Sequence, residues 1–304
     1  MVPQLVRFCL AICFLTAVQC SSAQEAESNP AEAKSIPSGT VAKHTFENGP
    51  FPWLKLYREY YVYVPAQYDG SQPAALMVFQ DGHIFADPES VKPHPEMSVA
   101  EQFNKLINSK QMPVTIALMV NPGHIDTNYP DNRYECSKRS EEYDELSDRY
   151  VTFLIDELIP EVAKSYRLTD EPNLRAIAGF SSGGVCAFTA AWQRPDYFHR
   201  VMTFSGSFVN IRGGHVYPYL VRSTPKKNLK VYLQSGTNDL DIMFGNWWLA
   251  NQQMASALAF KGYDYQFKET TGRHGEFMPA HLEEALIWLW KDAADQQAPA
   301  GLPD

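Results

Sequence analysis

Residues 179–183, Gly-Phe-Ser-Ser-Gly, fit the pattern G-x-S-x-G. The apolar run LRAIAG leads into them and VCAFTAAW follows, so the motif lies where a strand must turn sharply into a helix. In such an elbow the serine hydroxyl stands exposed above a sheet on a strained backbone, and glycines flank it because strand and helix nearly touch. A hydroxyl is a weak nucleophile. Ser181 acting as one needs a base, and the base needs an acid to orient it. On this kind of elbow the acid follows the serine in the chain and the histidine follows the acid. The run LKVYLQ leads into Ser235-Gly236-Thr237-Asn238-Asp239, which puts Asp239 at the carboxyl end of a strand, with Asp241 as its rival two residues on. His274, in TTGRHG just after the last strand-like run, satisfies order and position together. His83 and His124 follow earlier strands but precede the serine. His199 and His215 lack a strand-end position after the acid, His281 falls inside the last helix, and His44 and His94 fall outside the order.

Attack on a carbonyl also requires donors for the oxyanion, each of which typically matters by about 100- to 1000-fold in turnover. One is expected to be the backbone N–H of Ser182, the residue after the nucleophile. The other is expected from the early loop Gln80-Asp81-Gly82-His83: the His83 N–H, with Gly82 as the alternative.

These residues need a sheet to converge on. Tyr57–Val64 alternates and is aromatic, as a half-buried antiparallel strand would be. Ala75–Gln80 and residues 114–120 are near-continuous apolar runs, which predicts strands covered on both faces. Further strands are predicted at 174–179, Arg200–Phe204, 229–234 and 263–268, with helices through Trp192, over about 246–261 and over about 280–291. Ser140 is placed to cap a helix that opens with Glu141 and Glu142 and buries Tyr143, Leu146, Tyr150, Phe153, Leu154 and Leu158. Pro160 would kink that helix or start a new one. Strands separated by helices predict an α/β fold with a mainly parallel, doubly covered sheet.

Of the 304 residues, 45% are hydrophobic and 20% charged, which fits a globular chain and excludes a fibrous or disordered one. The net charge of −9 argues against nucleic acid as a partner. Residues 1–23 carry Arg7, a short apolar core and Ser21-Ser22-Ala23, the layout of a signal peptide; this predicts a secreted or periplasmic protein. Cys20 offers a lipoprotein cleavage site as the lesser alternative, since Gln19 precedes it where a small residue is wanted. Residues 24–40 read as a polar linker, 41–292 as one domain and 293–304 as a loose tail; no later run is long enough to span a bilayer. Cleavage would leave Cys136 and Cys186, expected as inert buried thiols, with one bridge between them as the other option. The acidic stretch 126–148 lacks regular metal-ligand spacing, so no metal is expected. Asn246, Trp247 and Trp248 either line a pocket or pack the core.

The Asp81-Gly82 loop, the GFSSGG elbow, SGTND, TGRHG, RSEEYD at 139–144 and FGNWWLANQQM at 244–254 resemble the enterochelin-esterase and feruloyl-esterase branch of the α/β-hydrolases, which includes carbohydrate esterase family one. The resemblance covers nearly all of residues 55–292. It implies the α/β-hydrolase fold, with Ser181 as nucleophile, Asp239 as acid and His274 as base, and no cofactor. In the related mycolyltransferases the residue after the DG pair donates to the oxyanion, which supports His83 here. Arg273 departs from the small residue that relatives often carry beside this histidine. The expected activity is exported serine carboxylic-ester hydrolysis through an acyl-enzyme. Hydroxycinnamoyl or acetyl esters of carbohydrates come first as substrates and siderophore esters second. Acyl transfer of the mycolyltransferase type, and a non-catalytic binding module on the same fold, are the alternatives.

Overall fold

The structure is a computed structural model that describes residues 36–86, 98–126 and 136–294. The expected signal peptide, most of the linker, the tail from 295 and residues 127–135 of the acidic stretch lie outside the described residues.

Eight strands form one sheet: β1 (Thr40–Glu47), β2 (Tyr57–Val64), β3 (Ala75–Gln80), β4 (Thr115–Val120), β5 (Arg175–Phe180), β6 (Arg200–Phe204), β7 (Lys230–Gly236) and, after a two-residue hairpin of β8 (Asp241–Ile242) and β9 (Gly245–Asn246), β10 (Asp264–Thr270). Their order is β1-β2-β4-β3-β5-β6-β7-β10. β2 runs antiparallel to both its neighbours, and the pairs from β4 to β10 are parallel. This is the predicted α/β sheet. β3 and β4 are buried at every residue, as continuous apolar runs require.

The two-residue period of a strand divides the core in two. Leu76, Val78, Ile177 and Val231 face a layer with Phe153, Phe188, Trp192, Met254 and Leu258. Met77, Phe79, Ala178 and Tyr232 face the opposite layer, with Phe103, Leu106, Leu286 and Trp290. Helices α6 (Ser182–Gln193), α7 (Tyr217–Ser223) and α8 (Trp247–Phe260) lie on the first side. The short α1 (Gly82–Ala86), α2 (Val99–Asn108) and α9 (Met278–Ala294) lie on the second.

Three features differ from the sequence reading. β1 was not anticipated: TVAKHTFE is polar and almost wholly exposed, and it is held by backbone pairing from Thr40↔Val64 to Glu47↔Tyr57. It starts at the last residue of the expected linker, and the Gly39 N–H is already donated to Asn104 Oδ1. The single helix expected after Ser140 is divided into α3 (Arg139–Tyr143), α4 (Arg149–Phe153), a π-turn (Leu154–Leu158) and α5 (Ile159–Ala163). Pro160, lacking an N–H, sits where the wide turn gives way to α5. Ser140 does not cap this segment; it lies inside the first turn and its hydroxyl donates to Asp144 Oδ2 at 2.8 Å. No disulfide joins Cys136 and Cys186, which are both buried, and Cys136 Sγ lies 3.7 Å from His124 Nδ1. Among the described residues no helix is long and apolar enough to cross a membrane.

Glu142, in the first turn of α3, is buried against Arg58, with Nη2–Oε1 at 2.6 Å and both side chains at 0% exposure. Its other oxygen takes the Gly123 N–H at 2.9 Å, and the guanidinium lies over the Phe153 ring. Removing one partner of such a pair leaves an uncompensated charge and costs about 3–5 kcal/mol, more than the intact pair contributes. We expect Glu142→Ala to lose that much in urea denaturation, and Arg58→Met/Glu142→Leu to lose less. A loss under about 1 kcal/mol in the single variant would contradict the burial described here.

Candidate active site

β5 ends at Phe180, and Ser181 turns the chain with φ +57° and ψ −122° into α6. A Cβ on Gly179 would lie 2.1 Å from the Gly183 carbonyl oxygen, and one on Gly183 would lie 2.9 Å from Asp81 Oδ2. Only glycine permits that crossing. The strained residue is held at both ends: its N–H is donated to Phe204 O at 2.9 Å, and its carbonyl accepts from Gly184, Val185 and Ser207.

β7 and β10 are parallel neighbours ending opposite each other at Gly236 and Thr270, so their two exit loops lie side by side. The loop after β10 crosses so close that a Cβ on Gly236 would meet the Gly272 carbonyl. The crossing carries His274 onto the turn that holds Asp239. His274 Nε2 lies 2.9 Å from Ser181 Oγ, and its Nδ1 lies 2.5 Å from Asp239 Oδ1. Asp239 also accepts the Ser235 hydroxyl at 2.9 Å and the Leu240 N–H at 2.7 Å. Burial works to raise its pKa, but the hydrogen bond from His274, the Ser205 hydroxyl, the charge of His274 and the Leu240 N–H together outweigh it and hold the carboxyl below the usual range. Asp241 is exposed in the β8–β9 hairpin, away from this arrangement. The imidazole is packed by Phe180, with ring centroids 4.7 Å apart, and by Trp247 edge-on at 5.9 Å.

On the other side of Ser181 the loop after β3 is also strained, with Asp81 at φ +57°. Arg139 clamps its carboxylate from Nε and Nη2, each at 2.7 Å, and the Asp81 N–H is donated to Tyr143 Oη. The two expected oxyanion donors differ in state. No acceptor among the described residues takes the Ser182 N–H, which opens α6. The His83 N–H is already donated to Asn121 Oδ1 at 2.9 Å, and His83 Nδ1 lies 2.9 Å from the same oxygen. Asn121, at the end of β4, reaches across a strand boundary that spacing does not reveal.

Ser207 was also not singled out, although its Oγ lies 3.4 Å from Ser181 Oγ and accepts the Trp247 indole N–H at 3.2 Å. Trp247 is therefore both core packing and a contact of the site. Trp248 lies against Phe267 instead, and Asn246 caps α8 by accepting the Leu249 N–H. Among the described residues no group of His, Cys, Asp or Glu is arranged to hold a metal ion.

Residues 54–287 match the family described as "Putative esterase". The chain belongs to this esterase family. Two curated relatives are iron(III) enterobactin esterases. That of Dickeya dadantii is 28% identical over 134 residues, which is 39% of this chain and 30% of the relative. That of Escherichia coli is 24% identical over 223 residues, 71% and 50% of the two chains. The chain thus spans at most half the length of these two relatives. Among solved structures, the enterobactin esterase of Shigella flexneri superimposes with a TM-score of 0.63 at 21% identity, covering 85% of this chain and 62% of that one. The ferulic acid esterase of Anaeromyces mucronatus superimposes with a TM-score of 0.63 at 16% identity, covering 84% and 93%. At these identities the likeness is one of fold, and the chain's sheet and helices are of their α/β-hydrolase type.

A carboxyl whose pKa is lowered by folding contributes stability above its unfolded value, near 3.9 for aspartate, and loses it as pH falls through the folded value. Asp239→Asn should therefore cost about 1.5–3 kcal/mol at pH 7, the range for a hydrogen bond to a charged group. The gap from the parent should narrow at pH 3. Urea titrations at the two pH values check this, and a gap that does not change with pH would contradict it.

Proposed function

We propose that the chain is an exported serine ester hydrolase working through an acyl-enzyme. The observation that carries this reading is the line Ser181 Oγ–His274 Nε2, His274 Nδ1–Asp239 Oδ1, at 2.9 and 2.5 Å, above the carboxyl ends of β5, β7 and β10. Asp239 holds the imidazole with its proton on Nδ1, leaving the Nε2 lone pair to take the Ser181 proton as the hydroxyl attacks an ester carbonyl. The Ser182 N–H receives the developing oxyanion. The His83 N–H joins it only by exchanging Asn121 Oδ1 for the substrate oxygen. His274 then gives its proton to the departing alcohol, which leaves an ester on Ser181. A water deprotonated by the same nitrogen attacks that ester, and His274 returns the proton to Ser181 Oγ as the acid is released.

Export is supported by the residue pattern of 1–23, and the domain that does this work is taken as 41–292. The substrate class is hydroxycinnamoyl or acetyl esters of carbohydrates, or siderophore esters. The relatives' names, which speak of enterobactin and of ferulic acid, support the siderophore and the hydroxycinnamoyl members of this set.

Ser181→Ala and His274→Ala should each lower kcat on p-nitrophenyl acetate by about ten-thousand-fold or more while the fold persists. Asp239→Asn should cost about 100-fold or more and Asp241→Asn less than about twofold, a contrast that follows from orienting the imidazole. A fluorophosphonate that fails to label Ser181 in folded protein would end the hydrolase reading. Turnover of methyl ferulate, acetylated xylan oligomers and enterobactin, compared side by side, selects the ester class.

A further inference from the structure

Ser181 has a second polar neighbour besides His274. Ser207 Oγ lies 3.4 Å away, and Trp247 Nε1 donates to that same Oγ at 3.2 Å. The Ser207 backbone N–H is also donated to the Ser181 carbonyl at 3.0 Å. Ser207 is fully buried, at 0% exposure, so its hydroxyl is shut off from bulk water. Trp247 and Asn251, one turn apart on α8, both hold this loop. Asn251 Nδ2 donates to the Gly206 carbonyl at 2.9 Å, next to the residue whose hydroxyl takes the indole N–H. A Cβ on Gly184 would come within 3.1 Å of Gly206 Cα, so the loop after β6 is seated directly on the start of α6.

The ends of this line set its direction. An indole N–H can only donate, and an ionised carboxylate can only accept. With Trp247 donating to Ser207, and with His274 giving its Nδ1 proton to Asp239 and taking the Ser181 proton at Nε2, each intervening hydroxyl has a single remaining role. Among the described residues the Ser207 proton has only Ser181 Oγ to go to, and that oxygen accepts it while donating its own proton to His274.

We propose that Ser207 and Trp247 are positioning residues for the nucleophile, extending the line to Trp247 → Ser207 → Ser181 → His274 → Asp239. The inference rests on the hydrolase reading above. Ser207 fixes the rotation of the Ser181 hydroxyl so that its proton points at Nε2. It also stabilises negative charge on Oγ, as the proton leaves during attack and as Oγ departs from the acyl group. Neither effect involves substrate binding. The consequence falls on kcat rather than KM. Trp247 acts one step further out, through the orientation of Ser207.

The test is a double-mutant cycle in the full chain, reading kcat and KM on p-nitrophenyl acetate, the rate of fluorophosphonate labelling and the Tm. Removal of one neutral hydrogen bond predicts that Ser207→Ala lowers kcat and the labelling rate by about 2- to 10-fold, with KM within about twofold. Trp247→Phe keeps a ring against His274 but removes the N–H, and should cost about 2-fold in kcat. Because both act through one hydroxyl, Ser207→Ala/Trp247→Phe should be no slower than Ser207→Ala alone. Parent-like kcat in Ser207→Ala, a loss expressed only in Tm or KM, or losses that multiply in the double variant would each overturn the assignment. Should Ser207→Ala fail to fold, Trp247→Phe decides by itself, and unchanged kcat there overturns it. A parent protein that neither labels nor turns over ester defeats the hydrolase reading and this inference together. An active parent with unaffected variants defeats this inference alone.

Discussion

The close crossing of α6 over the end of β5 is the constraint from which the rest of the site follows. With a carbonyl oxygen of Gly183 standing 2.1 Å from where a side chain on Gly179 would begin, the chain cannot make this turn by an ordinary route. It makes it through a serine at φ +57°, a conformation that costs about 1–3 kcal/mol and persists only where its surroundings over-determine it. Here they do. Phe204 takes the Ser181 N–H, and three N–H groups converge on its carbonyl. The strain therefore has a geometric product: a hydroxyl lifted clear of the strand and held at a fixed height for the loops that arrive from β6, β7 and β10.

Around that hydroxyl the protein buries several charges and handles each differently. Asp239 keeps its charge by collecting donors, from Ser235, Leu240 and His274. Asp81 is clamped at two points by Arg139. Glu142 is matched by Arg58, and that pair also holds Gly123 and the Asn121 carbonyl in place at the end of β4. The last arrangement bears directly on the site, because the Asn121 side chain occupies the His83 N–H. A buried ion pair contributes little net stability but specifies where its partners must lie. Here it fixes which donors around Ser181 are engaged in the resting protein.

Much of the sheet was legible because a doubly covered strand has no choice but to be apolar. Tyr57–Val64, Ala75–Gln80 and Arg200–Phe204 have the bounds the sequence pattern suggests. β1 was not legible, since a strand exposed on both faces carries no hydrophobic signature and is held by its backbone. The broken helix at 139–163 was misread for a related reason. The periodic stripe Tyr143, Tyr150, Phe153 and Leu158 is real, but periodicity records which side is buried and not where hydrogen bonding is interrupted. Among the site residues, Ser181, Asp239 and His274 could be picked out because chain order and strand ends are properties of the chain itself. Ser207 and Asn121 could not, because nothing near them in sequence announces what they touch.

The residue order alone settled that an α/β sheet would form, that a serine would sit at its sharpest turn, and that an acid and a histidine would follow on later loops. These depend on local pattern and connectivity. Three-dimensional packing alone settled that Asp239 comes within 2.5 Å of the imidazole, that the His83 N–H is taken by Asn121, and that Trp247 reaches Ser181 through Ser207. Each of these is a hydrogen bond of about 3 Å between groups far apart along the chain, and a one-residue change in where a loop leaves its strand would break it.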